Sequence, residues 1–208
     1  MSDGGAIEGA DDPNNWCLAP RWDQDVSGFV IREATEADLV GIFEIYDREV
    51  LHGTATFDVE PKSAEQRVAW LREHGKARRR AIVAVPRAES TSVLGWASLS
   101  AWSDRCAYVR AAEDSVYVAA DARGRGVGSA LLAALIASAK ADGLAVLLAR
   151  IVEGNPASLR LHESAGFRTI GVMHGVGEKF GRVLDVQLLE LPLDGAPAPS
   201  ARPVEGGR

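Results

Sequence analysis

Apolar residues along the chain form seven short runs that are continuously apolar or alternate with polar positions, and each run predicts a β-strand. The predicted strands are Phe29 to Glu33, Arg80 to Val85, Ser92 to Ala101, Ser115 to Val118, Ala145 to Ile151, Arg168 to His174 and Leu184 to Leu191. Apolar residues between these runs recur at the spacing of a helix. The chain therefore predicts an α/β (α+β) fold in which helices lie in three of the six connections between consecutive strands.

Three of the helices begin at recognisable start signals. Thr35 with Asp38 three residues later has the form of a capping box, and Ser63 begins a second helix. Asn155 is a candidate N-cap whose side chain can accept a backbone hydrogen bond, and Pro156 follows at the first helical position. These signals predict where the helices start from local chemistry alone.

The chain has 208 residues, of which 47% are hydrophobic and 25% charged, which is enough for one globular core. Residues 1–27 are rich in Gly, Asp, Asn and Pro without periodicity, and residues 194–208 are rich in Pro, Ala and Gly. Both ends are therefore predicted to be disordered extensions of a single domain over residues 28–193.

Charge and composition exclude several classes of protein. The formal net charge of −6 disfavours a nucleic-acid-binding surface. No apolar stretch reaches about 18 residues and the N-terminus lacks the pattern of a signal peptide, so a cytoplasmic protein without membrane contact is expected. Cys17 and Cys106 are too few for a disulfide framework or a zinc site, and His52, His74 and His174 show no ligand spacing, so no metal is expected.

A glycine-rich turn carries the first chemical signal. Residues 123–128 follow the predicted strand Ser115 to Val118 and precede an apolar helical run over residues 130–139. Glycines there allow a tight turn, and the free N–H groups and dipole of a helix N-terminus attract an anion. The turn therefore predicts a phosphate-binding site, although basic glycine-rich turns also occur as plain loops.

The spacing of the glycines separates three phosphate-binding motifs. Gly124, Gly126 and Gly128 do not give the G-x-G-x-x-G of a dinucleotide-binding turn. Ser129 follows Gly128 without the lysine that a nucleoside triphosphate loop requires. The remaining pattern is R-x-x-G-x-G, with its arginine at Arg123.

This pattern resembles the pyrophosphate-binding turn of the GNAT superfamily of acyl-CoA-dependent N-acyltransferases. The run from Asn155 through Ser158 to Gly166 and Phe167 resembles the second signature of that superfamily, although Asn155 and Ser158 could serve only as helix caps. The resemblance implies a mixed central sheet of about seven strands with about four helices, and acetyl-CoA as the acyl donor. The cofactor-binding residues that it implies are Val116, Tyr117, Val118, Arg123, Gly124, Arg125, Gly126, Val127, Gly128, Ser129, Asn155 and Ser158.

Further segments narrow the resemblance within that superfamily. They are Thr54 to Phe57, Gly95 to Leu99, Arg105, Ala107 with Tyr108, Glu113 to Val118, and Gly177 to Arg182 with Leu184 to Val186. These segments are similar to the phosphinothricin and methionine sulfoximine N-acetyltransferases. The resemblance implies transfer of an acetyl group to the α-amine of a small amino acid or analogue, in a detoxification or resistance role. Dimers are common among such proteins, so a homodimer is expected.

The chemistry of acetyl transfer requires a base and a group that stabilises negative charge on the thioester oxygen. Glu113 is the candidate base, with the neighbouring Asp114 as its rival. The resemblance implies that the backbone N–H of Val118 polarises the acetyl carbonyl. His162 stands where many superfamily members carry a tyrosine that protonates the departing thiolate, but it could equally be a packed or capping residue.

The substrate carboxylate of an amino acid predicts an arginine in the pocket, because a guanidinium matches its two oxygens. Arg105 is the candidate, while Ser103 and Val109 stand where the subfamily often has further basic residues. Arg110 is a second candidate for that positive charge. Phe57, Trp102 and Tyr108 could form the apolar walls of the pocket, or could equally be core residues.

Two alternatives to this assignment remain open at the level of sequence. The first is an acetyltransferase for another amine, such as an aminoglycoside or a protein N-terminus, whose cationic substrates favour acidic pockets. The second is a non-catalytic acyl-CoA-binding module, which would keep the phosphate turn without needing Glu113.

Overall fold

The structure is a computed structural model that describes residues 24–26, 28–76, 78–87 and 92–193. The strands are β1 (Gln24–Val26), β2 (Phe29–Glu33), β3 (Ala81–Pro86), β4 (Gly95–Ala101), β5 (Ala111–Val118), β6 (Val146–Val152), β7 (Arg168–Lys179) and β8 (Arg182–Pro192). The helices are α1 (Leu39–His52), α2 (Ala64–His74), α3 (Val127–Ala141) and α4 (Pro156–Ser164). None of these helices has the length and apolar content that crossing a bilayer requires.

The described strands form one mixed sheet in the order β1-β2-β3-β4-β5-β6-β8-β7. All neighbours are antiparallel except β5 and β6, which run parallel. The predicted α/β fold is confirmed. The sheet contains the seven predicted strands and, at its edge, the short additional strand β1. Strand β1 lies within the predicted N-terminal extension, while the rest of that extension, including Cys17, and the tail from residue 194 lie outside the described residues.

Two layers of helix cover the two faces of the sheet. The larger core lies under α3 and α4, where Leu131 and Leu135 pack against strand residues such as Leu99 and Leu147. The second core lies under α1 and α2 on the opposite face, where Phe43 packs near Val83 and Trp96. Because successive strand residues point to opposite faces, β5 sends alternate side chains towards each helix layer.

The helix start signals behave as predicted. Asp38 accepts a hydrogen bond from Thr35 N at 2.8 Å, which completes a capping box at a 3-10 turn, Glu36–Asp38, that leads directly into α1. Ser63 caps α2 by accepting a hydrogen bond from the backbone of Gln66, and Asn155 Oδ1 caps α4 by accepting from Ser158 N at 3.1 Å. Local chemistry therefore fixes the start of the helix that brings Asn155 to the site described below.

Candidate active site

A cleft opens in the middle of the sheet where β5 and β6 separate. Their parallel pairing ends at Glu113 and Leu148, although β5 continues to Val118 and β6 to Val152. Each strand stays paired to its other neighbour along this stretch. One edge of β5 beyond Glu113 thus lacks a neighbouring strand in the described part of the chain, and a cleft of about 1290 Å³ occupies the gap.

The glycine-rich turn lies at one end of this cleft. Gly124 and Gly126 have φ of +74° and +82°, which other residues adopt only with strain, and α3 begins directly after Gly126. Arg123 holds the turn, since its Nε donates to the Val118 carbonyl at 3.3 Å and its Nη2 contacts Glu49 at 3.0 Å. The free N–H groups of the first turn of α3 therefore give this end of the cleft a positive partial charge, which would stabilise a bound anion.

Glu113 lies in the cleft at the point where the two strands part. Both of its carboxylate oxygens accept hydrogen bonds from Arg150 of β6, from Nε and Nη2 at 2.6 Å each. The side chain of Glu113 is 17% exposed and that of Arg150 is 53% exposed. The hydrogen bonds and charge of Glu113 raise the pKa of Arg150, against the opposing effect of burial.

Asp114 points to the opposite face of the sheet, where it meets His162 of α4. Nε2 of His162 donates to Asp114 Oδ2 at 2.9 Å, and its Nδ1 donates to the Ser158 carbonyl at 2.8 Å. Because both partners are acceptors, the geometry favours the doubly protonated, positively charged ring over either neutral tautomer. Burial lowers the pKa of His162, but Asp114 and the Ser158 carbonyl together raise it further, so the net pKa lies above its ordinary value.

The loop between α1 and α2 forms another wall of the cleft. Lys179 of β7, itself buried, donates to the carbonyls of Glu49 and Thr56 at 3.0 and 2.8 Å. Tyr46 donates to Asp58 at 2.8 Å, and Tyr117 donates to the Ala55 carbonyl at 3.2 Å. The loop is therefore anchored to a helix and to two strands. 

A second cavity of about 240 Å³ adjoins the cleft under α1 and α2. Tyr46, Ser115 and Tyr117 line both spaces. The ring of Trp96 stacks on Tyr117 with centroids 4.7 Å apart, and its buried Nε1 has no hydrogen-bond partner among the described residues. An aromatic wall thus adjoins the part of the cleft that contains Glu113.

A scan against protein-family models matches residues 39–167, more than half of the chain, to the acetyltransferase (GNAT) family. The chain belongs to the GNAT family. It is an acetyltransferase, and the resemblance in its two signatures is confirmed.

The relatives of this GNAT chain include acetyltransferases for amino-acid analogues. It is 42% identical over 164 residues to an L-methionine sulfoximine/L-methionine sulfone acetyltransferase of Pseudomonas paraeruginosa, covering 79% of this chain and 94% of the relative. It is 39% identical over 163 residues to a phosphinothricin N-acetyltransferase of Streptomyces coelicolor, covering 78% and 95%. The crystal structure of a phosphinothricin acetyltransferase (Pat) from Sinorhizobium meliloti in complex with AcCoA matches with a TM-score of 0.74 and 38% identity, covering 80% of this chain and 89% of that one.

Most of the predicted site residues of the GNAT domain lie around the one cleft. Those that line it are Phe57, Glu113, Val116, Tyr117, Val118, Arg123, Gly124, Gly126, Val127, Gly128, Ser129, Asn155, Ser158 and His162. Arg125 is exposed and lies outside the cleft lining. The structure thus brings together the two signatures and the candidate base, which extend over 54 positions of the sequence from Glu113 to Phe167.

The residues predicted to bind the substrate carboxylate, and the predicted apolar wall residue Tyr108, lie outside this cleft. Arg105, Tyr108 and Arg110 lie on the exposed connection between β4 and β5, which contains a short 3-10 helix at Cys106–Tyr108, and none of them lines the cleft. These residues are close to Glu113 in the sequence but not in the cleft, because the connection lies beyond the end of the sheet before β5 begins. The arginine that faces Glu113 in the cleft is Arg150, which was not among the residues predicted from the sequence.

The charged pair of His162 and Asp114 predicts a pH dependence of stability. Because the pKa of His162 is raised in the folded state, its stabilisation is fully present below the unfolded pKa of about 6.5 and is lost as pH rises through the folded value. We expect the difference in unfolding free energy between the wild type and His162→Gln to shrink from acid to alkaline pH. Urea unfolding between about pH 5 and 9 measures it. His174→Gln is the control, since the His174 side chain is 79% exposed, and a pH-independent His162 difference would contradict the charged pair.

Proposed function

We propose that this GNAT protein transfers the acetyl group of acetyl-CoA to the α-amine of a small amino acid or analogue, of the type of methionine sulfoximine, methionine sulfone or phosphinothricin. The observation that carries the proposal is a carboxylate, Glu113, in the same cleft as the anion-binding start of α3. The names of the relatives support the substrate class. We further propose a detoxification or resistance role, a homodimer and a cytoplasmic location.

Three features of the cleft are suited to binding acetyl-CoA. The start of α3 at Gly126 would hold the pyrophosphate through backbone N–H groups. The unpaired edge of β5 offers backbone hydrogen-bonding groups to an extended chain, and the cleft volume of about 1290 Å³ is large enough for a sizeable ligand. Asn155 and Ser158 would lie beside the same ligand from the start of α4.

Bound acetyl-CoA supplies the acetyl group as a thioester, whose carbonyl carbon takes the amine nitrogen while the thiolate leaves. The amine must first be uncharged, since an ammonium has no lone pair. Glu113 would accept the proton of the substrate ammonium, directly or through a water. The backbone N–H of Val118 would polarise the acetyl carbonyl.

Asp114 and His162 are assigned a positioning role in this proposal. Asp114 also lines the cleft, but its Oδ2 is bonded to His162 and its side chain is 1% exposed, against 17% for Glu113, which favours Glu113 as the base. Both nitrogens of His162 bond to protein groups, which favours its interpretation as a structural residue that ties α4 to β5. Asn155 and Ser158 are thereby held at the cleft.

The release of free thiol from acetyl-CoA tests the proposal. The panel contains methionine sulfoximine, methionine sulfone, phosphinothricin, ordinary amino acids and an aminoglycoside. Turnover confined to the amino acids and their analogues supports the proposal, while turnover of the aminoglycoside alone overturns its substrate class. Thermal stabilisation by acetyl-CoA without turnover of any amine would indicate a binding module instead.

Replacement of Gly177 by alanine is expected to move Phe57, a proposed wall of the amine-binding pocket. A Cβ at Gly177 would lie 2.2 Å from Phe57 Cε1, so Gly177→Ala must displace the ring from its place in the cleft. We expect roughly a tenfold rise in KM for the amine, as for other changed pocket walls, with little change in KM for acetyl-CoA. Steady-state kinetics measures both constants. Gly171→Ala on the same strand is the control, because a Cβ there meets nothing within 4 Å, and equal effects of the two variants would argue against Phe57 as a wall.

A further inference from the structure

Arg150 is a cleft arginine whose partner is the proposed base. It is the charged residue of β6, which otherwise consists of apolar residues, and it lies across the opening from Glu113 of β5. Its guanidinium occupies both oxygens of Glu113 at 2.6 Å. A carboxylate held in this way has one lone pair of each oxygen bonded to the guanidinium, and a partner exchange would free both oxygens for the substrate ammonium.

The guanidinium keeps one side available to a ligand. Nε and Nη2 bind Glu113, whereas Nη1 has no hydrogen-bond partner among the described residues. The side chain is 53% exposed and lines the cleft, and its Cζ lies 5.9 Å from the centroid of the Trp102 ring. A carboxylate in the cleft can therefore reach Arg150 and form a planar, bidentate pair.

Other arginines in the described part of the chain are less suited to binding a substrate carboxylate beside Glu113. Arg123 lines the cleft but is bonded to Glu49 at the glycine-rich turn, and Arg160 lies on α4 within the second signature, away from Glu113 in sequence. Arg105 and Arg110 lie on the exposed connection outside the cleft. Arg150 is thus the cleft arginine placed next to the candidate base.

We infer that Arg150 binds the α-carboxylate of the substrate and that this binding releases Glu113 to receive the substrate ammonium. The inference rests on the proposed function and extends it to a residue and a substrate class. An α-amino acid carries a carboxylate and an ammonium on one carbon, so it matches the adjacent opposite charges of Arg150 and Glu113. The two ion pairs exchange partners, and no charge is left unpaired. The proton of the ammonium then passes to Glu113, which becomes a neutral carboxylic acid as the amine gains its lone pair.

This exchange makes the carboxylate a condition for efficient catalysis. An amine without a carboxylate leaves Arg150 on Glu113, and the base stays engaged. The protein should therefore select zwitterionic α-amino acids over their amides and over simple amines. Recognition by Arg150 thereby becomes a source of substrate specificity as well as of affinity.

The test compares L-methionine sulfone with its carboxamide, which keeps the amine and the side chain but lacks the carboxylate. We expect the wild type to prefer the acid in kcat/KM by a factor on the order of 10 to 100, the range for hydrogen bonds to charged groups. Arg150→Gln should lose most of that preference, chiefly through a higher KM for the acid. Arg150→Lys should restore part of it, because lysine keeps the charge but not the fork.

Arg168→Gln is the matched control. Arg168 is also 53% exposed and bonded to a strand glutamate, Glu190, but it lies outside the cleft lining. This variant should keep the preference of the wild type for the acid. A structural role of Arg150 would lower turnover of the acid and the carboxamide alike, which separates it from carboxylate binding.

The outcomes distinguish this inference from the function on which it rests. Equal turnover of acid and carboxamide by the wild type overturns the role of Arg150 and leaves the acetyltransferase proposal intact. An acid preference that persists in Arg150→Gln overturns it as well. If Arg150→Gln fails to fold, Arg150→Lys and the wild-type comparison decide the question. Failure to acetylate any amine overturns both proposals together.

Discussion

Replacement of Glu113 by glutamine is expected to lower kcat for amine acetylation by about 10²- to 10⁴-fold, the range that general bases contribute. Glutamine keeps the size of the side chain and one oxygen that can accept from Arg150, but its amide cannot take a proton from an ammonium. The anion-binding start of α3 lies elsewhere in the cleft, so acetyl-CoA binding should be retained. Steady-state rates with methionine sulfone and a separate titration with acetyl-CoA measure the two effects.

Glu190→Gln is the control for this experiment. Glu190 is a strand glutamate that accepts two hydrogen bonds from Arg168 and is 23% exposed, close to the 17% of Glu113. Its loss should leave kcat unchanged, since it lies outside the cleft lining. An unchanged kcat in Glu113→Gln would show that proton removal does not depend on Glu113.

Replacement of His162 by leucine should lower the free energy of unfolding by about 3 kcal/mol at neutral pH, because it strands a buried carboxylate. The side chain of Asp114 is 1% exposed, and its Oδ1 already lacks a partner among the described residues. The value lies at the lower end of the range of about 3–5 kcal/mol for broken buried pairs, since the stranded carboxyl group can take up a proton. Urea unfolding measures the loss.

The double variant Asp114→Leu/His162→Leu tests the cause. Apolar replacement of both partners of a buried pair is often neutral or stabilising, so the double variant should recover most of the stability. His174→Leu is the control at an exposed histidine beside Asp185, where the change should be much smaller. A double variant less stable than His162→Leu would contradict the assignment of the loss to an unpaired charge.

The sequence predicts best those features that depend on neighbouring residues. The caps at Thr35, Ser63 and Asn155 appear where predicted, because each cap bonds to a residue three positions away. The glycine turn is predicted for the same reason, since its backbone angles follow from residue type. Strand β5 begins four residues earlier than predicted because Glu113 and Asp114 interrupt the apolar run, although one faces the cleft and the other a buried histidine.

Contacts between distant residues are the part that the sequence does not predict. Arg150 meets Glu113 across 37 positions, and Lys179 meets the α1–α2 loop across more than 120. An arginine within an apolar strand was the available signal for Arg150, yet its partner depends on the register of β5 against β6. Arg105 shows the converse. It is only eight positions from Glu113 in the sequence, yet it lies outside the cleft lining.

The anchoring of the α1–α2 loop by Tyr46, Tyr117 and Lys179 bears on how tightly a very small molecule can be held. An amino acid has few atoms, so its favourable contacts are limited in number. Ordering a flexible lid at the moment of binding would offset much of that gain, at about 1–2 kcal/mol per residue fixed. Here the loop is already ordered in the folded protein, since Tyr117 and Lys179 bond to its backbone carbonyls and Tyr46 bonds to the carboxylate of Asp58. The loop is therefore preorganised, and little of the binding free energy of a small amino acid of the proposed type would be lost to ordering it.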